Sequence, residues 1–194
     1  MKKKIGILFF GCFLFSLMGG GPFLRAETPS LYQDKEYGFE IAVPEEWTEI
    51  PSPRRGDKSV TFAKYNVKYP QKKYPFINIT IGPVPPTAPK TPVAFGAFLI
   101  HSWKRQEPSL KIIEGPKEVV LNQLQGVKIV SESELKGRRG GTLILTTHSY
   151  YFLSGDKMIE IKAFDDKTDF NFHLDMIERS IQSFRLIPVE KKAE

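Results

Sequence analysis

The 194-residue chain carries 28 lysines and arginines against 22 aspartates and glutamates, and a single cysteine. Lys2, Lys3, Lys4, Arg25 and that cysteine, Cys12, all fall within the first 26 residues, which hold no acid; setting those four bases aside leaves 24 basic against 22 acidic residues. A near-neutral remainder argues against nucleic-acid binding through a concentrated cationic surface, and a cysteine-free one excludes disulfides, thiolate nucleophiles and cysteine-ligated metals.

The amino terminus reads as an export signal: a basic head, an apolar run over 5–18, the break Gly19-Gly20-Gly21-Pro22 and the small residue Ala26. The run is shorter than the roughly 20 apolar residues of a membrane span. Cleavage after Ala26 is therefore expected, with membrane contact only transient through the signal and a retained anchor as the alternative. The expected organisation is a signal peptide over 1–26, an aperiodic lead-in over 27–36, a single domain over 37–188 and a charged tail over 189–194. The expected location is exported, periplasmic or extracellular.

The first ordered element is a half-buried strand in Gly38-Phe39-Glu40-Ile41-Ala42-Val43, where Phe39, Ile41 and Val43 share a side and Pro44 closes the run. Segments 59–65 and 76–81 read as strands, the second with Ile77, Ile79 and Ile81 on its core face. The prolines at 83, 85, 86 and 89 make 82–90 a stiff connector. Thr91 then reads as a cap and Pro92 as the first turn of a helix to about Gln106, with Phe95, Phe98, Leu99 and Trp103 as its apolar stripe and Pro108 ending it.

Short strands are expected at 111–113 and 117–121, then a longer one at 126–135 with Val127 and Ile129 on one face. A glycine-rich turn over 136–141 leads into strands at 142–153 and 157–164, an antiparallel meander. Asp165, Asp166 and Asp169 read as capping residues of a final helix, whose stripe is Phe170, Leu174, Ile177, Ile181 and Phe184.

The run Tyr37-Gly38-Phe39-Glu40-Ile41-Ala42-Val43-Pro44-Glu45-Glu46-Trp47, with Ser180-Ile181-Gln182-Ser183-Phe184 near the other end, resembles the PsbP-like superfamily of PsbP, Mog and DcrB-type proteins. The resemblance implies an α+β fold, an antiparallel β-sheet flanked by helices in an α/β/α sandwich, and accessory binding to a larger partner. It supplies no catalytic motif. The central two-thirds of the chain matches in element order alone, and the proline connector and the segment 65–74 depart from the pattern.

Tyr65, Tyr69 and Tyr74 interleave with Lys64, Lys68, Lys72 and Lys73, a composition favoured at interfaces; a solvated hairpin is the plain alternative. Arg138 and Arg139 in the glycine turn suit an anion or an acidic partner. The candidate binding residues are therefore Tyr65, Lys68, Tyr69, Lys72, Tyr74, Arg138 and Arg139, facing a protein or cell-envelope partner, with no cofactor or metal expected. His101, His148 and His173 show no metal-ligand spacing, and His148-Ser149, adjacent in a strand, point to opposite faces. An enzyme would need His101, His148 and nearby acids to converge in one pocket; a small-ligand carrier would need an apolar cavity between helix and sheet. Trp47 reads as a ring closing the end of the sheet.

Overall fold

The computed structural model describes residues 30–50, 59–64, 75–136 and 141–189. The leader 1–26, the segment 65–74, Arg138 and Arg139, and the tail 190–194 lie outside the described residues.

Two antiparallel sheets organise the chain. The smaller has three strands, with β2 (Phe39–Val43) between β1 (Ser30–Asp34) and β10 (Arg185–Leu186). The larger has seven: β3 (Trp47–Ile50), β4 (Ser59–Lys64), β5 (Phe76–Pro83), β9 (Lys157–Asp166), β8 (Thr142–Ser154), β7 (Leu124–Lys136) and β6 (Lys111–Leu121), in that spatial order. Helix α1 (Pro92–Gln106) packs on one face of the large sheet, against β6, β7 and β8, while α2 (Phe170–Ser183) packs on β9 and on β2 of the small sheet at the other face. The result is the expected antiparallel α+β sandwich.

Strand alternation divides the core in two. In β8, Tyr150 and Phe152 point into the cluster with Phe39, Ile41, Ile77, Ile79, Ile161, Ile177 and Phe184, on the side of α2 and the small sheet. Tyr151 and Leu153 point the other way, into a smaller cluster with Phe95, Val127, Ile129, Phe98 and Trp103 from α1 and β7. Within the large sheet, β7 and β8 lie so close at Gly126 that it admits no side chain: a Cβ there would stand 2.2 Å from the Tyr151 carbonyl oxygen.

Hydroxyls and amides stitch the last helix to the first strands. Ser180 donates to the Ala42 carbonyl at 2.6 Å, and the Ala42 amide donates to Ser183 Oγ at 2.7 Å. Buried Glu40 accepts from Gln33 at 2.7 Å and from Arg185, fixing β1 and β10 on β2, and these hydrogen bonds hold its carboxyl below the ordinary range. At the tip of the β6–β7 hairpin, Asn122 and Gln123 adopt positive φ, as a tight two-residue turn requires, and the Asn122 side chain donates to the Gln182 and Phe184 carbonyls at the end of α2.

Four expectations are corrected. The lead-in holds a strand, β1, paired along all of β2. The segments 111–113 and 117–121 form one strand, β6, with register shifts on either side of Glu114. Thr91 begins α1 with extended backbone and Pro92 in the first turn, but its side chain makes no cap hydrogen bond. Nor does that of Asp169. Asp166 instead accepts from the amide and hydroxyl of Thr168, and Asp165 is buried against His173.

Candidate functional site

The seven candidate binding residues, Tyr65, Lys68, Tyr69, Lys72, Tyr74, Arg138 and Arg139, lie outside the described residues, but the strand ends that flank them are placed. Lys64 donates its amide to the Pro75 carbonyl at 3.3 Å, and Phe76 stands opposite Phe164 in the ladder. Following the register across the sheet, Phe164 lies opposite Thr147, Asp166 opposite Leu145, and Thr142 opposite Lys136. Both segments, 65–74 and 137–140, therefore leave the large sheet at the same end. The proline connector leaves at the opposite end, where Pro83 pairs with Lys157 and Val84 donates to Asp156.

At the end where those segments leave, none of the described residues covers the α1 face of the large sheet beyond α1. Beyond the last turn of α1 lies a groove of about 260 Å³. Its floor alternates hydroxyl and apolar side chains from Ser131 and Ser133 of β7, Leu145, Thr147 and Ser149 of β8, and Lys162 and Phe164 of β9; Trp103, Gln106, Glu107 and Leu110 form the wall. Strand periodicity brings these residues together, because the alternate positions point into the opposite core.

The one cation among the described lining residues, Lys162, is paired. Lys162 lies 2.7 Å from Glu160 Oε1 and 5.9 Å from the centre of the Trp103 ring. The Tyr151 hydroxyl donates to the same Glu160 oxygen, and burial, reinforced by that carboxylate, pushes the Tyr151 phenol well above its ordinary value. No histidine lines the groove, so no serine–histidine pair forms there. Hydroxyls, an aromatic wall and a closed ion pair equip it to hold a ligand.

The histidines do not converge. His101 is exposed on α1, at one face of the large sheet, whereas at the other His148 of β8 lies beneath α2 and His173 belongs to α2 itself. The convergence of His101 with His148 that an enzyme reading would need is therefore not formed. His148 packs on Phe170, with Nδ1 3.5 Å from Glu178 Oε1. Glu178 also accepts from Lys128 at 2.7 Å and from Tyr150 at 2.8 Å. The His148 ring, Lys128 and Tyr150 hold its carboxyl down to about 2, against the opposing effect of burial.

His173 Nδ1 stands 2.6 Å from Asp165 Oδ2; burial nevertheless raises the Asp165 carboxyl. These pairs fasten α2 to the sheet. Among the described residues, no three histidine, cysteine or acidic side chains gather as a metal site. Trp47 is buried in the larger core cluster at the start of β3, in keeping with its structural reading.

The groove was missed from the sequence. Its traces are the alternating Ser131, Ser133 and Thr147, Ser149, which set hydroxyls on one face of strands whose other face is apolar.

No family model matches the sequence, and no curated protein is similar enough in sequence to match. Solved structures do match. Cyanobacterial PsbP (CyanoP) from Synechocystis sp. PCC 6803 superposes with a TM-score of 0.54 at 10% identity, covering 87% of this chain and 98% of its own. The Ran-binding protein Mog1p of Saccharomyces cerevisiae gives 0.54 at 7% identity, with 84% and 97% covered. LpqN of Mycobacterium tuberculosis, described as involved in cell envelope biogenesis, gives 0.54 at 10% identity, with 84% and 88% covered. The element order, the antiparallel sheets and these superpositions together show that the chain has the fold shared by these PsbP, Mog1p and LpqN structures.

Proposed function

We propose that the chain is an exported, non-catalytic accessory protein that binds a protein or cell-envelope partner at the end of the large sheet where 65–74 and 137–140 depart. The observation that carries this reading is their common anchorage, Lys64 and Pro75 on one side and Lys136 and Gly141 on the other, beside an open groove. Tyr65, Tyr69 and Tyr74, with Lys68, Lys72, Arg138 and Arg139, would supply the aromatic and guanidinium contacts that concentrate binding energy at interfaces. Solved neighbours described as Ran-binding, and as involved in cell envelope biogenesis, lend support to a binding role. Among the described residues no helix is long and apolar enough to cross a membrane. The groove itself favours a second reading, a carrier of a small ligand.

The test is a pull-down from envelope extract with the chain from residue 27 onward. Wild type is compared with a variant in which Tyr65, Tyr69, Tyr74, Arg138 and Arg139 are alanine. A partner recovered by wild type and lost by the variant supports the reading; equal recovery, or none, overturns it.

A further inference from the structure

We infer that the groove beside Trp103 binds an uncharged, polyhydroxylated ligand, one or two rings of an oligosaccharide. The argument starts from volume: small-ligand pockets begin at roughly 300 Å³, so a groove of about 260 Å³ suits a sugar ring or two better than a large cofactor. The groove is not closed beyond β9. There the same sheet face continues over Asn78, Thr80 and Thr61, polar side chains linked at 2.8 Å and 3.1 Å, where further rings of a chain would rest.

The lining excludes the main rivals. Burying a fatty chain would strip water from the part-exposed hydroxyls of Ser133 and Thr147 without replacing it, a cost that weighs against apolar contact. An anionic ligand needs an uncommitted cation, and Lys162, the one cation among the described lining residues, is already closed on Glu160. An extended peptide adds to a sheet edge rather than a sheet face. Sugar hydroxyls both donate and accept, as serine and threonine hydroxyls do. The C–H face of a pyranose ring packs on an aromatic plane such as Trp103, which is half-buried at the groove wall.

This inference does not rest on the partner proposed above. Calorimetric titration of the chain with an N-acetylglucosamine tetramer and with maltotetraose is expected to show saturable binding of at least one. Trp103→Ala and the near-isosteric Thr147→Val should each weaken it about tenfold, the equivalent of one lost contact. Trp47→Phe leaves Trp103 as the sole tryptophan, whose emission should then shift on titration. The five-alanine variant in 65–74 and 137–140 should bind sugar as wild type does, which separates failure of the two proposals. The inference is overturned if neither sugar binds at about ten millimolar. It is equally overturned if binding is indifferent to both Trp103→Ala and Thr147→Val, or if dodecanoate or inorganic phosphate occupies the groove and the sugars do not.

Discussion

The two faces of the seven-stranded sheet are treated differently. Towards α2 and the small sheet, the apolar side chains of β4, β5, β8 and β9 are sealed, and the charges at the rim close on one another through Glu178, Lys128 and Tyr150. Towards α1 the helix packs mainly on β6, β7 and β8, and the part that no described residue covers is floored by hydroxyls, apolar side chains and a closed ion pair. A protein gains stability from the first kind of surface and can spare the second for a ligand. The difference teaches where substitutions should unfold the molecule and where they should leave it folded with altered binding.

The largest effect is expected in the sealed face. Phe152, fully buried in the larger cluster, should cost about 3–5 kcal/mol on replacement by alanine, measured by urea denaturation. Next comes Gly126→Ala, whose methyl would meet the Tyr151 carbonyl at 2.2 Å and Phe152 Cδ1 at 2.4 Å; about 1–3 kcal/mol should be lost.

Glu178→Gln should be milder, at about 1–2 kcal/mol, because the side chain is partly open to solvent, which screens its ionic contacts. Its carboxyl lies near 2 in the folded chain against an ordinary 4.5. The stability it contributes is thus complete above pH 4.5 and lost as pH falls towards 2, so urea midpoints measured across that window should fall less in the variant. Smallest of all, Thr147→Val and Ser133→Ala in the groove should change stability by under about 0.5 kcal/mol. A large loss from either would erase the contrast between the faces.

The sequence made the elements with strong local signals legible. Helix α1 was bounded by Pro92 and Pro108, and β5 by its isoleucine alternation. The strand β1 was not, because at the edge of a small sheet only Tyr32 and Asp34 of its five residues are partly covered, leaving no periodic apolar mark. Gly115-Pro116 hid the continuity of β6, which tolerates them as an edge strand with register shifts. For the aspartates before α2, cap chemistry looked sufficient; a buried pairing with His173, eight residues on, has no local signature. The groove needed three strands and a helix at once, so no window of sequence contained it.

One consequence follows from Asn122 closing the end of α2 and from Arg185 and Leu186 pairing with β2. The small sheet and its helix are completed by residues from opposite ends of the chain, bridged by a turn from its middle. During synthesis, nothing emerging before residue 186 can finish this layer. The early strands must wait with their apolar side uncovered until the last segment arrives. The closing step is therefore a late, long-range docking of the two ends rather than progressive growth from the amino terminus.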